Sequence, residues 1–206
     1  MPSGGRVNSS RSDNTVAIDS HALGTLNYIR ASIEAAGAFA VPGIAGIAMG
    51  AVGLMAALVG SLAGPAHWLE VWVLAAMAAS AIGVLLVARQ PARGFTLYRG
   101  PARKFVLSLC PSLLAGAVLT AVLWQEHTVL IPGMWLLLYG CAVLSASLMT
   151  SAAMMRLIAI MGGLFVACGL VTFELPRHWH NFALGSGFGA LHLVFGILIG
   201  RADRVE

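Results

Sequence analysis

The chain has 206 residues, of which 59% are hydrophobic and 10% charged, with a formal net charge of +4 and a mean hydropathy of +0.87. About a quarter of the residues of an average soluble domain are charged, so disorder and an ordinary soluble enzyme both fit poorly. The 24 glycines follow no Gly-X-Y period, which excludes collagen and leaves a polytopic membrane protein.

Residues 1–17 are polar and include Arg6, Arg11 and Asp13. They read as a flexible cytoplasmic tail. A cleavable signal needs an apolar core of roughly 7–15 residues; none lies here, so the first span is expected to act as an uncleaved anchor. Residues 18–40 read as an amphipathic helix. Ala22, Leu26, Ile29, Ile33 and Ala36 fall on one face, Asn27, Arg30 and Glu34 on another, and Asp19 or Ser20 can cap the start. Such a helix lies on the inner membrane surface; a docking or dimerising helix is the alternative.

Six apolar segments follow, at 43–64, 68–87, 105–124, 132–151, 157–173 and 181–200, together forming a transmembrane domain over 41–200 and leaving a cytoplasmic tail at 201–206. A bilayer core takes about 20 apolar residues. The stretch 132–173 is twice that, so it must fold back, and Arg156 is expected at the turn. Pro42 and Pro132 sit where first-turn prolines are tolerated, and Pro111 alone lies within a span.

With six spans, Arg6, Arg11, Arg30, Arg89, Arg93, Arg99, Arg103, Lys104, Arg156, Arg201 and Arg204 share one side, and Arg177 stands alone on the other. The positive-inside rule places the eleven, and both termini, in the cytoplasm. The basic residues from Arg89 to Lys104 read as a topology determinant against anionic headgroups, so the positive charge requires no nucleic acid partner.

Gly43, Gly46, Gly50, Gly53 and Gly60 share one face of span one, and Gly185, Gly189, Gly196 and Gly200 one face of span six. Small residues let helices approach closely in lipid, so these are expected packing faces. His192 is spaced with the glycines of span six and is the one ionisable side chain deep in any span. It is expected to point into the bundle, either as a hydrogen-bonding residue or as a functional group.

The outer connections each hold Glu, His and Trp: His67, Trp68 and Glu70; Trp124, Glu126 and His127; Glu174, His178, Trp179 and His180. The tryptophans, with Trp72 and Trp135, read as an interfacial belt. For the other seven residues three readings stand: solvated loop residues, a pH-responsive histidine cluster, or an N/O ligand set for Zn, Fe, Cu or haem if the hairpin tips converge. His67 and Glu70, three apart, share a helix face. No H-E-x-x-H, paired C-x-x-C, G-x-S-x-G or phosphate-binding loop occurs. Cys110, Cys141 and Cys168 read as packing residues, and Ser145, Ser147, Thr150 and Ser151 as bonded to their own backbone.

The stretches 26–39 (LNYIRASIEAAGAF) and 181–196 (NFALGSGFGALHLVFG) resemble an uncharacterised family of small bacterial six-span integral membrane proteins with a cytoplasmic N-terminal helix. The resemblance implies a bacterial inner-membrane origin and lends no activity, ligand or catalytic residue. The sequence therefore predicts an all-α bundle of six transmembrane helices behind an amphipathic helix. Its expected role is non-catalytic, as an interaction or accessory subunit, homo-oligomeric or with a membrane partner. The alternatives are a metal- or haem-binding redox or metal-handling protein, and a small-solute transporter using His192.

Overall fold

A computed structural model describes residues 25–26, 29, 40–89 and 101–202. The tail 1–17, most of the helix expected over 18–40, and Arg93, Arg99 and Arg204 lie outside the described residues. The chain divides into a unit ending at Ala38 and a unit from Phe39 to Glu206. In the first, Thr25, Leu26 and Ile29 are helical.

The second unit is all-helical among the described residues, with six helical segments long and apolar enough to cross a membrane. They are α1 (Gly43–Ala63), α2 (Trp68–Ala88), α3 (Pro101–Leu123), α4 (Ile131–Ser147), α5 (Ala152–Thr172) and a last crossing in three parts. Those parts are α6 (His180–Leu184), a π-helical segment (Gly185–Leu191) and α7 (His192–Ala202). Pro42 precedes α1, and Pro132 lies in the first turn of α4, where a missing N–H leaves no helical bond unmade.

The last crossing occupies the centre. It packs on α1 along one side and on α4 and α5 along the other; α2 leans on α1, and α3 on α4. Glycine makes the central contacts possible. A Cβ added at Gly43 would sit 2.5 Å from the carbonyl oxygen of Gly196, one at Gly50 2.7 Å from the Leu193 nitrogen, and one at Gly53 2.5 Å from the Phe188 carbonyl carbon. From the other side, a Cβ at Gly196 would stand 2.6 Å from the Ile47 nitrogen. The backbones of α1 and the last crossing are thus in direct contact, the geometry that favours association in lipid.

A second glycine seam joins α4 to α5 and is absent from the sequence-based expectations. A Cβ at Gly140 would lie 2.7 Å from the Val166 nitrogen, and one at Gly169 2.6 Å from that of Leu137, while Gly133 makes room for the ring of Phe173. Its signal in the sequence is a seven-residue spacing, Gly133 to Gly140 on one helix and Gly162 to Gly169 on the next. Between the seams, Trp72, Leu136, Phe165, Leu184 and Phe195 form the main buried cluster.

One expectation about the spans needs correction. The turn between the fourth and fifth spans is at residues 148–151, and Arg156 lies inside α5 with its side chain exposed. Ser147 donates to the Leu144 carbonyl and Thr150 to that of Ser147, at 2.7 and 2.6 Å, so local polar bonds end α4 before the charge is reached. A long arginine side chain can carry its charge back to the interface from the second turn of a helix. The sixth span contains the π segment at residues 185–191.

Candidate functional site

His192 begins α7 directly after the π segment and is 4% exposed. Its imidazole turns away from the α1 seam, towards α4 and α5. This corrects the expectation that His192 shares the glycine face: only its backbone does so, its carbonyl oxygen lying 3.3 Å from where a Gly46 Cβ would be.

Nε2 of His192 is 2.7 Å from the hydroxyl of Tyr139 on α4. The pair sits in a box of rings. Tyr139 lies 4.8 Å from Phe165 and 5.1 Å from Phe188 between centroids, and His192 lies 5.3 Å from Phe165 and stacks on Phe188 at 6.3 Å. Nδ1 of His192 is buried without a hydrogen-bond partner, although the backbone carbonyls of Gly187 and Phe188, both in the π segment, approach the ring. Tyr139 was not anticipated. A tyrosine hydroxyl halfway along an apolar span needs a partner, and His192 is the deep polar group that supplies one.

Towards the end of the bundle that carries the hairpin His and Glu residues, two further polar ties cross between helices. The indole N–H of Trp72 donates to Oδ1 of Asn181 at 2.9 Å, joining α2 to α6. The indole N–H of Trp135 donates to the hydroxyl of Thr120 at 2.7 Å, joining α4 to α3. Trp68 stacks on Trp135 with centroids 6.0 Å apart. The expected tryptophan belt therefore divides. Trp124 and Trp179 are exposed as belt residues are, whereas Trp72 is buried and Trp68 and Trp135 pack against the core cluster. A tryptophan's large apolar ring and single donor suit both positions, so residue type alone does not separate them.

The outer-face residues stay in pairs or alone. His67 Nδ1 is 3.1 Å from Glu70 Oε2, and His127 Nε2 is 3.9 Å from Glu126 Oε2, in both cases between exposed side chains. Glu174 and His178 are exposed, and His180 is buried with Nε2 3.1 Å from the carbonyl oxygen of Leu175 in its own hairpin. No group of three or more His, Cys, Asp or Glu among the described residues is placed to hold a metal ion. Of the three readings for His67, Glu70, Glu126, His127, Glu174, His178 and His180, convergence into one ligand set thus finds no donor group among the described residues. The hairpins join different helix pairs, and each short loop carries its donors outward with it.

Cys110 and Cys168 are half-buried and Cys141 is exposed, all with free thiols. Ser145 and Ser147 bond the carbonyls of Cys141 and Leu144 as expected, whereas Ser151, at the start of α5, makes no side-chain cap. A groove of about 280 Å³ runs between α1 and α2. Its lining is apolar, including Val52, Met55, Val59 and Leu74, and does not include His192.

These features define the class: an all-α integral membrane protein of six spans whose buried polar contacts tie helices together. Against known proteins, the chain matches no family model, no curated protein and no solved structure.

Proposed function

We propose that this is a non-catalytic bacterial inner-membrane protein, with both termini cytoplasmic, that works as an interaction or accessory subunit. The observation that carries the reading is the bareness of two spans. Among the described residues, Trp72 is the one buried residue of α2 and Gly116 the one buried residue of α3. The chain's own fold uses little of either helix, although both are as apolar as the central ones. Exposed surfaces include Leu74 and Met77 on α2 and Leu114, Val118 and Val122 on α3. These faces are area available to a second copy or another membrane protein.

The cation distribution supports the orientation: Arg89, Arg103, Lys104, Arg156 and Arg201 fall at one end of the spans and Arg177 at the other. A metal- or haem-handling role has no donor set to support it among the described residues. Transport through His192 lacks support as well, because rings from α4, α5 and the π segment close around it.

Photo-crosslinking side chains placed at Leu114 and Val118 of α3 in native membranes test the proposal, with Ile160 of the well-packed α5 as control. A discrete protein adduct from α3 and none from α5, with a particle mass above that of one protomer in nanodiscs, is the expected result. Lipid adducts alone at all three positions, with the mass of one chain, would overturn it.

A further inference from the structure

The π segment and the His192 imidazole lie next to each other, and each is unfavourable by itself. A π turn has poor intrinsic stability and survives as a single insertion where tertiary contacts support it, often at functional positions. Nδ1 of His192 is buried and makes no well-aligned hydrogen bond, with the Gly187 and Phe188 carbonyls of the π segment approaching the ring, an arrangement less favourable than a full hydrogen bond. Two such features within one stretch of helix call for something that holds them.

The glycines of the segment bring its backbone close to the helices on either side. Gly185 and Gly189 face α1, where an added Cβ would meet Ala57 Cβ at 2.8 Å and Leu54 Cδ2 at 2.5 Å. Gly187 faces the other way, where a Cβ would run into Leu136 and Phe165. The segment passes between two helix layers in close contact with both. Its rotation is set by the ring of Phe188 and by two hydrogen bonds that bracket it. Upstream, Asn181 of α6 accepts from Trp72 of α2; downstream, His192 of α7 pairs with Tyr139 of α4. These bonds fix the azimuths of α6 and α7 independently. The two helices differ by the one extra residue that the π turn absorbs.

We propose that the Trp72–Asn181 and Tyr139–His192 bonds are two pins that hold residues 185–191 in the π register, and that releasing either lets the segment relax to an α-helix. The change is one residue of register, a rotation of α6 relative to α7 of about 100° at 3.6 residues per turn. Both bonds cannot survive it. The α turn removes the poor π geometry and moves the Nδ1 of His192 away from its poorly aligned position. The device therefore couples α2 at the outer end to the middle of α4, through a helix that touches α1, α4 and α5. It goes beyond the accessory reading and stands independently of it.

Hydrogen exchange and ¹⁵N signals of histidine-labelled protein in nanodiscs test this on the full chain. Tyr139→Phe keeps its ring and Trp72→Phe puts a smaller ring in place of the buried indole; each removes one pin. Each is expected to speed amide exchange over residues 185–196 about tenfold, the loss of roughly one hydrogen bond's worth of local stability. Exchange in α4 and α5 is expected to stay within about twofold of the parent. Trp72→Phe is also expected to shift the ring ¹⁵N signals of His192, identified by their loss in His192→Asn; the Phe188 ring links the two, its centroid 6.3 Å from that of Trp72 and 6.3 Å from that of His192. Deleting Ser186 removes the extra residue, so both pins can close on an α turn; in that background Tyr139→Phe should no longer speed exchange. Unchanged exchange in both single variants overturns the proposal. So does a His192 signal indifferent to Trp72→Phe, or an equal effect of Tyr139→Phe with and without Ser186. Should the deletion prevent folding, the two single variants and the His192 signal decide the matter.

Discussion

A methyl group added at Gly162 and one added at Gly163 meet opposite surroundings, although the residues are neighbours on α5. At Gly162 the new Cβ would lie 2.9 Å from Leu144 Cγ and 3.0 Å from both the Gly140 carbonyl oxygen and the Leu144 nitrogen; at Gly163 nothing lies within 4 Å. Backbone cannot move aside as a flexible side chain can, so Gly162→Ala is expected to destabilise by about 1–3 kcal/mol. Gly163→Ala gains helix propensity with no clash, and is expected to be neutral or stabilising by up to about 1 kcal/mol. Unfolding midpoints in mixed micelles separate the two; equal effects would mean that the α4–α5 seam is not a close backbone contact. The outer histidines give a contrasting case. His67 and His178 are exposed and bound to nothing that holds the bundle together. The double substitution His67→Ala, His178→Ala is expected to leave the unfolding midpoint and the metal content of purified protein unchanged. A loss of bound metal in that variant would restore the ligand-set reading.

Single helices depend on a few polar ties because lipid offers no hydrophobic drive for helix association. For α3 the tie is a relay: Trp135 donates to the Thr120 hydroxyl, which donates in turn to the Gly116 carbonyl at 2.7 Å. Gly116 is also where α3 comes close to Leu138. Thr120→Val keeps the shape and strands the indole N–H. It is expected to weaken α3 docking by about 0.6–1.7 kcal/mol, the range of interhelical hydrogen bonds in membranes. Faster amide exchange in α3 with no change in α5 is the measurement, and Thr120→Ser should restore the parent rate. The same distinction explains what was legible at this scale. The six crossings and the α1 glycine face follow from apolar length and from glycines at spacings of three, four and seven, which are local properties of the chain. The π turn, the division of the tryptophans and the dispersal of the outer donors depend on which helices become neighbours. His192 was recognisable as an inward residue because glycines surround it in sequence; Tyr139 was not, because its partner is 53 residues away.

For the molecule as a whole, the proposed orientation rests on the distribution of cations and on an even number of crossings. If all six segments cross, residues 40 and 202 lie on the same side, as do the α2–α3 connection and the turn at 148–151. The α1–α2 hairpin, the turn around Gln125 and the loop at 173–179 lie opposite. Arg156 and Arg201 then belong to the first side and Arg177 to the second, the imbalance that the positive-inside rule turns into a cytoplasmic assignment. Single cysteines at Ala66, Gln125 and Ser151, introduced after replacing Cys110, Cys141 and Cys168 with Ala, can be reacted with a membrane-impermeant thiol reagent in intact cells. Ala66→Cys and Gln125→Cys are expected to label from outside, since both positions are exposed loop residues. Ser151→Cys should label only after the membrane is opened. Labelling of Ser151→Cys in intact cells with protection of the other two would invert the molecule. Labelling of Ala66→Cys but not of Gln125→Cys would remove a crossing between them, and with it the even count on which the shared side of the two ends rests.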